Sequence, residues 1–393
     1  MASQPIEFRW PASPAELPKA AFHREDVFRL ELERIFLGPE WHPLAHLAEL
    51  PKRGDFKTFR LGAAPVLVIH GDDDRVRVFF NSCTHRGTQL QTRARGHTEE
   101  FECPYHRWLF NDRGELLAAP GSDRFPAAFR KDDYHLRELR TAEFQGLFFA
   151  TCSESTPALA TYLGETAPLF EQVLGDGRLS LLGYQKVIFS SNWKEYNDNE
   201  GYHAPLLHRA FRLLRWQAGK GIQCATEYGH VGLQAQLQSA ANSDFLNDRS
   251  LVEFRGSDGT GAPKSIIIAL FPLVSVIKHL DVINVRYVIP HSVDETEVHY
   301  AYFCHQDDDP AMMRHRLRQS SNLLGPSGFI SLEDGAVFNR IHQGSLTPGR
   351  VQYQKGIAAM VPPPCIVDQN DESANPIRWE RYRKLMGFER DQR

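Results

Sequence analysis

The pattern of apolar and polar positions divides the chain into a helical start, a β-rich stretch and a mixed remainder. Residues 22–36 carry apolar side chains at helical spacing. From Asp55 onward, short alternating or β-branched segments replace this pattern, which is typical of strands. The clearest of these segments are residues 56–61, 64–69 and 76–80. We therefore predict a small all-β domain over residues 45–150.

After residue 150 the pattern becomes mixed, and helical and strand-like segments follow one another. Helical spacing covers residues 157–173, parts of 197–214, 310–324 and the tail at 376–388. Strand-like patterns cover residues 179–190, 266–274 and 282–302. These segments predict a second domain over residues 151–393, with an antiparallel sheet flanked by helices. The predicted fold class is therefore α+β, with residues 1–44 as an N-terminal helical segment packed on the second domain.

Two short segments of the β-rich stretch each offer one thiol and one imidazole. Cys83 and His85 form the first pair, and Cys103 and His106 form the second, in the spacing C-x-H-x17-C-x2-H. A Rieske [2Fe–2S] centre takes two cysteines on one iron and two histidines on the other. Gly87 follows the first pair and Pro104 lies inside the second, so both segments are predicted to form tight loops. The sequence therefore predicts a Rieske cluster held by two neighbouring loops.

A structural zinc site is the alternative for these four residues, because zinc also takes two cysteines and two histidines. Zinc motifs usually place the two cysteines in one pair and the two histidines in the other. Each pair in this chain is mixed, so the sequence favours the iron–sulfur cluster over zinc.

A second group of metal ligands follows in the mixed region. His203 and His208 are five residues apart, and on an ideal helix their rings would diverge. Pro205 lies between them and disturbs the helical hydrogen bonds, which would let both rings reach one point. Two imidazoles and one carboxylate form the facial triad of non-haem Fe(II) oxygenases. A histidine pair that only packs in the core is the alternative, but a Rieske cluster needs an electron acceptor and so favours the iron site.

The carboxylate of such a triad must come from another part of the chain. The best candidate is Asp334, which follows an apolar stretch and begins a polar helical segment. The adjacent Glu333 is a close competitor, and Asp198 and Glu195 are weaker candidates.

Composition and charge argue against several other classes of function. The net charge of -4 and the lack of a basic stripe in the sequence disfavour a nucleic-acid partner. The longest apolar run, residues 266–277, is too short to span a bilayer, and the first residues do not read as a signal peptide. We therefore expect a cytoplasmic protein without membrane contact. The sequence shows no convincing dinucleotide-binding motif, so flavin and nicotinamide are expected on a separate protein.

Together these motifs resemble the large (α) subunit of Rieske non-haem iron aromatic-ring-hydroxylating oxygenases. The resemblance covers nearly the whole chain. Four features occur in the family's order, namely the Rieske loops, the triplet at residues 192–194, the iron histidines and the stretch 325–335. The Ala-Pro-Leu-Leu-His ending of the histidine motif is most similar to the group that acts on aromatic acids. The resemblance implies an all-β Rieske domain, then a catalytic domain with mononuclear Fe(II), and usually a trimer.

The resemblance also implies a role for each candidate residue. The cluster ligands would be Cys83, His85, Cys103 and His106, and the iron ligands would be His203, His208 and Asp334. Glu200 stands three residues before the first iron histidine, where the family usually has aspartate. That acid would bridge a cluster histidine of one subunit to an iron histidine of its neighbour and so carry electrons between subunits. The segment before His203 is also slightly shorter than usual, and both departures weaken any assignment of substrate from the family group.

The predicted function is that of a terminal oxygenase component that uses O2 and external electrons to hydroxylate an aromatic, carboxylated substrate, by mono- or dioxygenation. Arg286 interrupts an apolar strand and is a candidate partner for the carboxylate, or else an outward-facing residue of that strand. Monooxygenation of an amine or quaternary ammonium compound is the alternative, which Glu200 supports. A Rieske electron carrier without catalytic activity is a third hypothesis, but it gives the second domain no function.

The resemblance further implies the partners of the chain. Electrons would come from a ferredoxin, an NAD(P)H-dependent flavin reductase, or both in series. The chain would form a homotrimer, with or without a small β subunit.

Overall fold

The computed structural model describes residues 8–199, 221–237, 251–256 and 263–392. Within these ranges the strands are β1 (Arg9–Trp10), β2 (Glu16–Pro18), β3 (His42–His46), β4 (Asp55–Leu61), β5 (Ala64–His70), β6 (Val76–Phe80), β7 (Arg95–His97), β8 (Glu100–Glu102), β9 (Leu109–Asn111), β10 (Leu116–Ala118), β11 (Glu138–Phe144), β12 (Leu147–Thr151), β13 (Leu179–Phe189), β14 (Gly221–Ala225), β15 (Val231–Gln236), β16 (Lys264–Leu270), β17 (Val274–His279), β18 (Val282–Pro290), β19 (Thr296–His305), β20 (Arg350–Gln352), β21 (Cys365–Asp368) and β22 (Glu389–Arg390). The α-helices are α1 (Glu25–Glu31), α2 (Leu159–Leu163), α3 (Ala167–Leu174), α4 (Trp193–Asp198), α5 (Pro310–Leu323), α6 (Ser331–Ser345) and α7 (Ala374–Met386). None of these helices has the length and apolar character needed to cross a membrane.

Contacts within the chain group its residues into two compact units. The small unit spans Phe36–Leu159, and the large unit combines the residues up to Ile35 with those from Ala160 onward. The domain boundaries predicted after residues 44 and 150 stay predictions.

The small unit is all-β, as the alternating pattern predicts. Its main sheet has seven strands in the order β3-β12-β11-β6-β5-β4-β7, and a second sheet has the order β10-β9-β8. The three clearest predicted strands are β4, β5 and β6. Aromatic side chains such as Phe79, Phe101 and Trp108 fill its core, and the same core contains Cys83 and Cys103. The predicted cluster loops are therefore anchored in the aromatic core of this unit.

The large unit is built on an eight-stranded antiparallel sheet in the order β13-β19-β18-β17-β16-β15-β14-β21. Helix α5 packs on β18 and β19, and α3 packs on β16 and β17. Every residue of β18 is buried, which explains why its sequence is apolar almost throughout rather than alternating. Both units together confirm the predicted α+β class.

Some predicted elements have different bounds in the structure. The segment 266–274, predicted as one strand, is the end of β16 and the start of β17, because a turn containing Pro272 divides it. The helix predicted over residues 22–36 is shorter, since α1 ends at Glu31 and passes into a wider π-helical turn. The helical segment predicted within residues 197–214 lies almost entirely outside the described residues.

Candidate functional site

The two predicted cluster loops of the small unit share one backbone pattern. The N–H of Cys83 donates to the carbonyl five residues later (2.8 Å), and the N–H of Gly87 donates back to the Cys83 carbonyl (2.9 Å). The second loop repeats both bonds around Cys103, at 2.8 and 3.0 Å. The residue four positions after each cysteine is left-handed, with φ of 74° at Gly87 and 59° at Arg107. A non-glycine residue in this conformation is uncommon and persists only when the surrounding structure enforces it.

The two thiols of these loops lie side by side in the interior of the small unit. Cys83 is 2% exposed and Cys103 is 1% exposed, and the two thiols are in hydrogen-bonding contact. Burial raises the pKa of the Cys83 thiol. Thiolates at this position therefore need a positively charged partner, which a metal ion provides.

The two imidazoles form a second group, nearer the surface. The His85 ring stacks on the indole of Trp108 with 4.7 Å between ring centres, and it meets His106 edge-on at the same separation. The ring of Tyr105 lies 3.8 Å from the ring of His106. Partial desolvation, with the neighbouring His106, lowers the pKa of His85. A neutral imidazole is the form that binds metal, so this environment suits a ligand histidine.

This arrangement fits the predicted [2Fe–2S] group. The two thiols form one group and the two imidazoles another, as the two irons of a Rieske cluster require. A single zinc ion would need all four side chains around one point. In the ranges that the structure describes, no three His, Cys, Asp or Glu side chains are placed so that they could hold one metal ion.

Asp334 of the large unit lies in the first turn of α6, where its side chain is largely buried. Its Oδ1 accepts a hydrogen bond from Nδ2 of Asn199 at 3.3 Å. Asn199 follows α4 directly, so this bond joins the start of α6 to the chain segment that leads to the iron-histidine motif. The predicted ligands His203 and His208, and the predicted bridge Glu200, lie outside the described residues.

The weaker acidic candidates have other partners. Asp198 accepts hydrogen bonds from the hydroxyl of Tyr353 at 2.7 Å and from the indole N–H of Trp379 at 2.8 Å. Glu195 accepts a hydrogen bond from the backbone N–H that precedes α4, at 2.8 Å, and contacts His342 at 3.0 Å. Both carboxylates hold α4 in place, which favours Asp334 or Glu333 as the carboxylate at the iron.

A buried ionic cluster fixes the start of α4, and the sequence pattern does not reveal it. The carboxylate of Glu31 accepts hydrogen bonds from Lys194 Nζ at 2.6 Å, from the indole of Trp193 at 2.8 Å and from the hydroxyl of Tyr382 at 2.5 Å. Glu31 is fully buried, and burial lowers the pKa of Lys194 against the opposing effect of Glu31. Because a buried charge without its partner is costly, this cluster strongly constrains the segment that precedes the iron-histidine motif.

His342 ties α6 to α4 and to the turn between β18 and β19. Its Nδ1 lies 3.0 Å from Glu195 Oε2, and its Nε2 lies 2.9 Å from Asp294 Oδ1. Both ring nitrogens can donate only in the imidazolium form, so hydrogen bonding to Glu195, and then the charges of both acids, raise the pKa of His342. The helix that carries Asp334 is thus held by an imidazole whose protonated form both acids favour.

We expect His342→Gln to destabilise the protein mainly at acidic pH. A histidine whose pKa is raised in the folded protein stabilises the folded state. This contribution is complete below the pKa in the unfolded chain, 6.5, and it is lost as the pH rises through the pKa in the folded protein. The difference in melting temperature between wild type and variant should therefore be largest below pH 6.5 and shrink above it. A melting-temperature difference that is constant with pH would contradict the charged state of His342.

Arg286 points inward, so the outward-facing alternative for this strand residue is wrong. It is only 6% exposed, and its guanidinium donates to the carbonyl of Leu324 and to the hydroxyl of Ser331, both at 3.2 Å. The guanidinium also lies over the ring of Tyr300, 4.9 Å from its centre. The sequence cannot distinguish these orientations, because both faces of β18 are buried.

Comparison with known proteins agrees with this division into two units. Residues 40–139 match the family described as "Rieske [2Fe-2S] domain", and residues 172–362 match "Ring hydroxylating alpha subunit (catalytic domain)". The chain is 31% identical to a terephthalate 1,2-dioxygenase terminal oxygenase component, subunit alpha 2, of Comamonas sp, over 91% of this chain and 92% of that protein. It is 29% identical to the anthranilate 1,2-dioxygenase large subunit of Burkholderia cepacia, over 95% of this chain and 94% of that protein.

Solved structures share the same fold. Naphthalene 1,2-dioxygenase from Rhodococcus sp. bound to indole superposes with a TM-score of 0.83 at 23% identity, over 94% of each chain. A quaternary ammonium Rieske monooxygenase superposes with a TM-score of 0.76 at 21% identity, over 96% of this chain and 98% of that one. The chain therefore belongs to the Rieske non-haem iron ring-hydroxylating oxygenases, as an α subunit that contains a [2Fe–2S] cluster and a mononuclear iron and hydroxylates aromatic compounds.

Proposed function

We propose that this chain hydroxylates a benzene ring that carries an anionic group, in the simplest case an aromatic carboxylate. The observation that carries the proposal is Arg286, a buried cation in the large unit. The two relatives named above act, by their names, on terephthalate and anthranilate, and both of these compounds are aromatic carboxylates. The similarity to them covers more than nine-tenths of the chain.

The position of Arg286 supports this role. Ser331, which accepts one of its hydrogen bonds, is the first residue of α6, three positions before Asp334. On the other side, the guanidinium lies 3.5 Å from the hydroxyl of Tyr196 in α4. A guanidinium presents its N–H donors in a fork that matches the two oxygens of a carboxylate. A substrate whose carboxylate bound to Arg286 would therefore be held beside the first turn of α6, where the proposed iron ligand lies.

The proposed ligands assign the cluster to the small unit and the iron to the large unit. The cluster ligands would be Cys83, His85, Cys103 and His106, and the iron ligands would be His203, His208 and Asp334. Held by these residues, the iron would supply the activation of O2, and the cluster would supply the electrons for it. The protein's own groups bind and orient the ring, and the buried clusters around α4 and α6 keep the ligand-bearing elements in place. Glu200 stays the predicted electron bridge between subunits.

The partners follow from the same proposal. A ferredoxin, a flavin reductase or both would supply the electrons, since the similar Comamonas protein is by its name a terminal oxygenase component. We further propose a cytoplasmic homotrimer, with or without a small β subunit.

Oxygen uptake by the reconstituted enzyme tests the proposed substrate class. The holoenzyme would be supplied with NADH and a surrogate reductase, and offered benzoate, terephthalate, 2-aminobenzoate, neutral benzamide and methylated amines in turn. We expect O2 uptake coupled to a hydroxylated product with the aromatic acids. Turnover confined to the amines or to neutral rings would contradict the proposal.

The same assay with Arg286→Met should show the role of the cation directly. Methionine keeps most of the side-chain length but removes the charge, so KM for the preferred acid should rise about 10- to 100-fold, the usual value of a hydrogen bond to a charged group. Benzamide should be affected far less. Arg178→Met, at an exposed arginine of the large unit, is the control. An equal loss for acid and amide would show that Arg286 supports the fold rather than the carboxylate.

A further inference from the structure

Asn284 is a buried polar residue whose side chain makes no hydrogen bond within the described residues. It lies in the middle of β18 and is fully buried. Within the described residues, neither the oxygen nor the nitrogen of its side-chain amide has a hydrogen-bond partner. Nearly all buried polar groups in proteins are hydrogen-bonded, because an unpaired donor or acceptor away from water is costly. An amide that leaves four hydrogen-bonding positions unused therefore suggests a group that binds there during function.

Asn284 shares its face of the sheet with Arg286. Side chains two positions apart on a strand point to the same side, about 7 Å apart along the strand. Asn284 stands opposite Ile277 on β17 and Tyr302 on β19, whose side chains share this face. The hydroxyl of Tyr302 donates to Oε1 of Gln185 at 2.6 Å, so this neighbour is already engaged.

The surroundings of Asn284 are otherwise apolar. Ile277 belongs to a buried cluster with Val282, Leu323, Leu324 and Ile330. Leu324 is also the residue whose carbonyl accepts a hydrogen bond from Arg286. An apolar surface with a few well-placed polar groups is the usual character of a small-molecule site. This face of β18 thus offers a cation and, about 7 Å from it along the strand, an amide, next to buried apolar side chains.

From these observations we propose that Asn284 binds a second polar substituent of the substrate while Arg286 binds the anionic one. The preferred substrate is then a benzene ring with a carboxylate and a second hydrogen-bonding group, such as hydroxyl, amino or another carboxylate. An amide both donates and accepts, so it suits all three. This inference rests on the proposed function and adds to it the residue that selects among aromatic acids.

Asn284→Leu tests the inference, because leucine has nearly the same shape and no polar atoms. Binding to the holoenzyme would be measured by titration calorimetry, and turnover by O2 uptake, for benzoate, terephthalate and the hydroxy- and aminobenzoates. We expect the best disubstituted acid to bind about 10- to 100-fold more weakly to the variant. Benzoate, which lacks the second group, should bind as well as before.

Thermal stability separates a binding role from a structural one. Because leucine removes a buried amide that has no partner in the free enzyme, Asn284→Leu should melt at a higher temperature than wild type. Asn284→Asp is the second variant: its negative charge should weaken terephthalate binding most and aminobenzoate binding least. If Asn284→Leu fails to fold, the aspartate variant still tests the role, since an unchanged order of preference there would refute it.

The results for wild type and for Asn284→Leu test the proposed function and the role of Asn284 separately. If wild type binds and oxidises none of the aromatic acids, the proposed function is wrong and the role of Asn284 falls with it. If wild type oxidises these acids but Asn284→Leu keeps the wild-type preference, the proposed function stands and the role of Asn284 is wrong. A lower melting temperature with equally weakened binding of benzoate would also overturn the inference, since it would show that Asn284 supports the sheet.

Discussion

Replacing Cys103 with alanine is expected to give a protein without the visible absorption and the reduced-state EPR signal of a Rieske centre. The cluster irons share their bridging sulfides, so one lost thiolate should release the whole group rather than one iron. Iron analysis should fall from the two cluster irons plus one mononuclear iron per chain to the mononuclear iron alone. Turnover should be lost completely, because the cluster is the proposed source of electrons.

The matched control is Cys152→Ala, at a half-buried cysteine of the same unit that lies outside both cluster loops. Its absorption, EPR signal and iron content should equal those of wild type. A Cys103→Ala protein that keeps both spectroscopic signals and its iron would show that this cysteine is not a ligand.

The cluster loops could be predicted from sequence because their signal is local. Each loop carries its cysteine, its histidine and its turn within five residues, and the hydrogen bonds that close it also lie within the loop or just beyond it. The strands around the loops alternate in a sheet with a distinct core face, and this pattern is visible without the structure. The α+β class follows from the same local patterns.

The buried contacts that hold α4 and α6 in the large unit could not be predicted in this way. Glu31 and Lys194 are 163 positions apart, and Glu195 and His342 are 147 positions apart. No spacing or periodicity links such residues, because only the folded sheet brings their elements together. The orientation of Arg286 was open for a related reason, since a strand buried on both faces has no alternation to indicate its inner side.

Asp334→Ala is expected to remove the mononuclear iron and leave the Rieske cluster intact. Asp334 belongs to the large unit and the cluster loops belong to the small unit, so the EPR signal of the reduced cluster should be unchanged. Loss of one of three protein ligands should abolish hydroxylation, and iron analysis should show the two cluster irons only. Reduction of the cluster by the surrogate reductase should proceed normally, because that step does not involve the second metal.

Glu333→Ala decides between the two adjacent acids, which are both buried in the first turn of α6. Consecutive residues of a helix point about 100° apart, so only one of the two carboxylates can face a given metal. The hydrogen bond from Asn199 directs Asp334 toward the end of α4, which leads into the segment with both iron histidines. Glu333→Ala should therefore keep its mononuclear iron and most of its turnover. If Glu333→Ala loses the iron while Asp334→Ala keeps it, the first turn of α6 presents its glutamate to the metal and the assignment of Asp334 is wrong.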